Sequence, residues 1–182
     1  IGIWTKQTAV MFVPILFVYI ILFEEKTQIN DLKNWFIKVF KVMAIPTILG
    51  GGLFLFNQLY LTPSSTVSTN FQVTKFEYIS TQFYVMAHYL GNFILPTSLS
   101  ADPDLEIIKP FYDKRILLGV LVTLIMLVIA FKTSRNKKTL PIAFGILWFF
   151  IASLPTSLVP LFQIANDHRM FFPFIGIFIA IG

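Results

Sequence analysis

Several things are scarce in this chain, and each scarcity removes a class of function. There is no cysteine among its 182 residues, so it forms no disulfide, has no thiol nucleophile and holds no Cys-ligated zinc. Charged residues make up only 13% of the chain, about half the roughly 25% of a soluble domain. No glycine-rich phosphate loop or Walker-type motif occurs, which excludes a nucleotide-driven ATPase. No HExxH or Cys/His zinc pattern is present, and the serine-rich segments lack a nucleophile-elbow setting. No basic, aromatic-studded soluble face suggests nucleic acid. No repeat of 20–50 residues appears within the chain.

What remains is overwhelmingly apolar. Hydrophobic residues are 56% of the chain, phenylalanine alone occurs 21 times, and mean hydropathy is +0.77. The expected class is an all-α polytopic membrane protein. Thr8–Phe23, Val42–Leu61, Ile116–Phe131 and Leu140–Phe162 are long uncharged runs, and Met170 begins another that the chain leaves unfinished. Four spans and a truncated fifth are therefore expected, forming a single membrane domain over 1–182. Ile1 lies almost at the first run and Gly182 ends inside the last, which suggests an internal piece of a longer chain. Pro14 should kink the first run, and Gly50-Gly51-Gly52 marks a flexible point or, in the favoured reading, a close helix contact in the second.

Phe71–Pro96 has a different pattern. Thr81, Tyr84, His88 and Asn92 fall on one helical face, and Phe83, Met86, Ala87, Leu90 and Ile94 on the other. Such a helix suits an interfacial or re-entrant position on the outer face, with its polar side to water. The basic loops set the orientation. With 24–41 and 132–139 cytoplasmic and 62–115 outside, the inner loops hold eight of the 14 basic residues and three of the nine acidic ones. The outer parts then sum to zero charge, as the positive-inside rule expects. The localisation expected is an integral membrane protein of the bacterial inner membrane.

Chemistry concentrates in Asn166-Asp167-His168-Arg169, four polar residues between two apolar runs. Ionisable groups at membrane depth are costly and mark candidate functional sites. On this topology Lys6, His88, Asp167, His168 and Arg169 all fall on the outer side. Lys and Arg there suit the phosphate of an anionic lipid, and a nearby His can donate or titrate. Asp102, Asp104 and Glu106 supply hard oxygens for a divalent cation, but their spacing lacks a full coordination loop and fits a solvated acidic loop better. No cofactor is called for by these residues.

The order of the motifs resembles a family. Thr5-Lys6-Gln7-Thr8-Ala9 is similar to the Ser-Lys-Glu-Thr-Ala motif of polytopic GT-C glycosyltransferases. The similarity is greatest to the O-mannosyltransferase-like membrane proteins that carry tetratricopeptide repeats. Thr81-Gln82 with His88-Tyr89-Leu90, Leu95-Pro96 and Leu99-Ser100-Ala101-Asp102 resembles their Thr-Gln, Tyr-Leu, Pro, Leu and Asp-Tyr segment. Leu154-Pro155 followed by Val159-Pro160 resembles the next helix end. Asp167-His168-Arg169-Met170-Phe171-Phe172-Pro173 resembles Glu-Arg-Tyr-Leu-Tyr-Leu-Pro. The chain departs from the family at Gln7, at Pro103 and at His168, where the family has Glu, Tyr and Glu.

The resemblance implies transfer of a sugar from a polyprenyl-phosphate-linked donor to a protein or glycan acceptor on the outer face. It implies substrate-binding roles for Arg169, His168, Asp167, Lys6, His88, Tyr89 and Gln82. The family's catalytic acid lies in an earlier outer loop, so no catalytic residue is assigned here. The competing reading is a transporter or channel subunit for an anionic lipid or solute, for which Pro/Gly-broken helices with midplane polar groups are the marker. The clustering of ionisable residues at helix ends favours the transferase.

Overall fold

A computed structural model describes residues 11–24, 41, 44, 48, 51–52, 74–96, 105–109, 111–158 and 164–182, the side chains of Glu24 and His168 apart. The chain divides into two compact units, Ile1–Val67 and Ser68–Gly182. Among the described residues there are helices and turns but no strand.

In the first unit, helix α1 spans Phe12–Tyr19 and widens into a π-helical turn over Ile20–Glu24. Pro14 falls in the first turn of α1, where its missing N–H breaks no bond of that helix. Most of the expected span 42–61 lies outside the described residues, although Gly51 and Gly52 are helical.

The second unit holds α2 (Lys75–Ile94), α3 (Lys114–Thr133), α4 (Leu140–Leu158) and α5 (Phe171–Ile181). Local chemistry fixes their ends. Thr74 and Glu77 form a reciprocal capping box at the start of α2, with Thr74 N–H donating to Glu77 Oε2 at 2.9 Å and Glu77 N–H to Thr74 Oγ1 at 3.3 Å. Those two bonds, aided by Lys109, hold the Glu77 carboxyl below its ordinary range. At the other end Leu95 turns extended ahead of Pro96, as a residue before proline does. Asp113 caps α3 through the Arg115 N–H at 2.8 Å. Pro141 and Pro173 sit in first turns, where proline is tolerated. Pro155 lies inside α4, and hydroxyls supply bonds in that last turn: Thr156 Oγ1 and Ser157 Oγ both donate to the Ser153 carbonyl at 3.0 Å.

Helices α3 and, with the short turn before it, α4 are long and apolar enough to cross a membrane, and 20 residues of α3 rise about 30 Å. Large side chains along α3, including Leu117, Leu118, Leu121, Leu124, Ile125 and Val128, are exposed. Such a face suits hydrocarbon and not water. Helices α1 and α5 are apolar but shorter.

The contacts define directions. Trp148 Nε1 donates to the Phe172 carbonyl at 2.9 Å, and Gly145 lies against Gly176 and Ala180, so α5 runs antiparallel to α4. Along α2, Tyr78 meets Thr156, Tyr89 meets Asn166 and Phe93 meets Phe174 and Phe178, so α2 also runs against α4 and alongside α5. The chain then comes back to the beginning of α2. The Ile108 N–H donates to Thr81 Oγ1 at 3.1 Å, and Lys109 pairs with Glu77 at 3.4 Å. Helix α3 thus starts at the same end as α2, crossing it where Gly119 abuts the Phe83 and Tyr84 backbone. A side chain at Gly119 would strike that backbone, which makes glycine necessary there.

Candidate functional site

Part of the polar face of α2 points into the protein, while Tyr84 and His88 on it are half-buried. Thr81 is 0% exposed, Gln82 5% and Asn92 8%, alongside buried Tyr78, Val85 and Tyr89. This corrects the expectation that Thr81 and Asn92 share a water-facing side. Helical periodicity separates two faces but does not say which is covered. Here Tyr78, Thr81, Gln82 and Asn92 can be covered because each finds a partner. Thr81 Oγ1 donates to the Glu77 carbonyl at 2.8 Å while accepting from Ile108. Tyr78 Oη donates to the Thr156 carbonyl at 2.7 Å. Asn92 Nδ2 lies 3.2 Å from His88 Nε2. A buried polar group costs little when so satisfied and several kcal/mol otherwise, on the order of 2–7.

Two of these side chains hold the segment that carries the charged tetrad. Gln82 Nε2 donates to the Ile164 carbonyl at 3.1 Å. The Asn166 N–H donates to Tyr89 Oη at 2.6 Å. Ala165, Asn166 and Met170 are buried, and Ala165 and Met170 join Val85, Tyr89, Phe149 and Ile177 in the core. Asp167–Met170 then form a 3₁₀ turn, closed by the Arg169 N–H on the Asn166 carbonyl at 3.1 Å, that leads straight into α5. Asp167 and Arg169 are half-buried, Asp167 Oδ1 is fully covered, and both charges act at the Tyr89 hydroxyl.

Of the residues singled out in the sequence, Gln82 and Tyr89 hold the backbone of the segment that carries Asp167 and Arg169. His88 sits one residue aside, half-buried against Asn92, its ring centroid 6.3 Å from that of Tyr84 and 6.2 Å from that of Tyr89. Lys6, the His168 side chain, Asp102 and Asp104 lie outside the described residues, and Glu106 is exposed. Asn166 is the site residue that sequence reasoning passed over. It was visible only as the first polar residue of the tetrad, and its part is played mainly by its backbone N–H.

The cluster can hold and orient a cation half-screened from solvent. A guanidinium there can bind a phosphate through two parallel N–H bonds. Among the described residues no group of three or more His, Asp or Glu side chains is placed to hold a metal ion. A groove of about 340 Å³ lined by Thr74, Phe76, Glu77, Ile108, Lys109 and Phe111 contains neither Arg169 nor Tyr89.

Tyr89→Phe tests the anchoring. It deletes the acceptor of the buried Asn166 N–H and should cost about 1–3 kcal/mol. The measurement is amide hydrogen exchange in detergent. Faster exchange at Asn166–Met170 with unchanged exchange in the middle of α3 is expected. Equal exchange in variant and wild type would show that Tyr89 does not secure the segment.

Comparison with known proteins gives no matching family, no similar characterised protein and no similar solved structure.

Proposed function

We propose that this chain is membrane core of a glycosyltransferase, moving a sugar from a polyprenyl-phosphate-linked donor to a protein or glycan acceptor on the outer face of a membrane, most simply the bacterial inner membrane. The observation that carries the reading is the fixing of Arg169. Gln82 and Tyr89, from a helix about 80 positions earlier, clamp the backbone immediately before it. A guanidinium carried on a held backbone at the start of an apolar helix suits the phosphate of a lipid carrier, whose chain lies in hydrocarbon while its headgroup stays at the boundary. The first turn of α5 adds its N-terminal dipole to the attraction. Asp167 and His168 orient Arg169 or touch the sugar, and Lys6 supplies a second phosphate contact.

In this reading α3, α4 and the 42–61 run are spans, and α1 and α5 belong to two more. Helix α2 dips in from the outer side, and the chain is back at that side by Ile108, so 62–115 begins and ends outside. Non-helical backbone at membrane depth is tolerated only where protein or a water-filled cleft surrounds it. The inward polar face of α2 meets that need.

The topology is testable without background, because the chain has no native cysteine. Single-cysteine variants at Ser134 and Ser65 should react with a membrane-impermeant maleimide from opposite sides, Ser134 from the cytoplasm and Ser65 from outside. Reaction of both from one side would overturn the arrangement. The activity itself is tested with the full-length protein and a radiolabelled polyprenyl-phosphate sugar, following transfer to acceptor. Absence of transfer, together with flux of an anionic lipid or solute through proteoliposomes, would replace this reading by the transporter one.

A further inference from the structure

We infer that the turn joining α3 to α4 binds the phosphate headgroups of anionic phospholipids. Lys132, Arg135, Lys137 and Lys138 place four positive charges within seven residues, with no acidic residue among them. All four are exposed, and neither the Lys109–Glu77 nor the Arg115–Asp113 ion pair uses any of them.

The platform beneath these charges is tied down. Thr133 Oγ1 donates to the Ile129 carbonyl at 2.7 Å, and Ser134 Oγ to the Phe131 carbonyl at 2.8 Å. Lys138 N–H donates to Asn136 Oδ1 at 3.1 Å, and Thr139 Oγ1 closes the turn on the Thr133 carbonyl at 2.7 Å. The backbone is therefore pre-organised, and a ligand need order only the side chains.

One contact fixes the level of the site. The Arg135 guanidinium lies 4.5 Å from the centroid of the Phe131 ring, and Phe131 is 60% exposed. Stacking uses the face of the guanidinium and leaves its edge donors for a phosphate. Exposed Val128 and Ile129 lie one turn further along α3, so apolar surface borders the cations on the side of the helix. A soluble polyanion would leave that surface in water, whereas a phospholipid covers both parts, acyl chain on α3 and headgroup on the cations. A juxtamembrane cluster of this size draws anionic lipid by about fivefold for each cation near the surface. The inference rests on the α3–α4 hairpin crossing a membrane and is independent of the transferase assignment.

The test uses the full chain in detergent micelles equilibrated with equimolar phosphatidylglycerol and phosphatidylcholine of matched acyl chains, with retained lipid counted by native mass spectrometry. Preferential retention of phosphatidylglycerol is expected. Arg135→Ala combined with Lys137→Ala and Lys138→Ala should reduce the preference by roughly tenfold or more. Lys137→Arg with Lys138→Arg should retain it. Equal retention of the two lipids, or a preference indifferent to the triple variant, would overturn the site. Glycerol phosphate at the lipid's concentration should not compete; full competition would make this a free-anion site and overturn the lipid assignment. Alkaline extraction of the same chain from vesicles separates the premises. A chain that inserts without headgroup preference sinks this inference alone, and one that does not insert sinks the membrane reading with it.

Discussion

On the transferase reading, replacing Arg169 by alanine in the full-length protein should lower sugar transfer from a polyprenyl-phosphate donor about 30- to 1,000-fold at matched expression. The magnitude is that of losing a charge-assisted contact to a desolvated phosphate, roughly 2–4 kcal/mol. The side chain is half-buried, and the backbone before it is held by Gln82 and Tyr89, so the fold around the cavity left by truncation stays anchored. Arg169→Lys separates charge from geometry. Lysine keeps the charge as a point but lacks the planar fork, so it should recover only part of the loss. Unchanged transfer by the alanine variant would remove Arg169 from the donor site. Loss of transfer with an unchanged donor KM would instead make it a residue acting after donor binding.

The second large effect is on stability. Gly145→Ala and Gly176→Ala should each separate α4 from α5 and destabilise the protein by about 3 kcal/mol or more, above the usual cost of an overpacked core. A Cβ at Gly145 would meet the Gly176 carbonyl oxygen and lie 2.7 Å from the Ala180 nitrogen. A Cβ at Gly176 would meet the Gly145 carbonyl oxygen and lie 2.8 Å from the Phe149 nitrogen. The opposing atoms are backbone, so no rotamer change relieves the clash, and one helix must move. Close approach through small residues is how helices pack where lipid removes the hydrophobic incentive. Gly91→Ala is the internal comparison, since nothing lies within 4 Å of a Cβ there and alanine favours the helix by up to about 1 kcal/mol. Thermal unfolding in detergent should rank Gly91→Ala at or above wild type and the other two far below. Equal melting of all three would mean that α4 and α5 are not in contact. Because Arg169 stands two residues before α5, the same variants should also impair transfer beyond their effect on expression.

The sequence by itself determined the helices that composition and caps can specify. The uncharged run Ile116–Phe131 became α3 within two residues at either end, because Asp113 caps one end and the basic turn after Thr133 closes the other. The run from Leu140 became α4, and the one from Met170 became α5, from their apolar composition, α5 without a side-chain cap. The tetrad Asn166–Arg169 was conspicuous because polar residues between apolar runs are costly. What tertiary structure alone decided is which face of α2 is covered and what Arg169 stands on. The partners of Gln82 and Tyr89 are backbone atoms of Ile164 and Asn166, 82 and 77 residues away, and a main-chain atom leaves no mark in a side-chain pattern. Likewise Gly145 and Gly176 read as ordinary small residues until the two helices meet. Hydropathy reports the cost of leaving a residue in water, whereas the inward turn of a polar face depends on hydrogen-bond partners that only folding brings within reach.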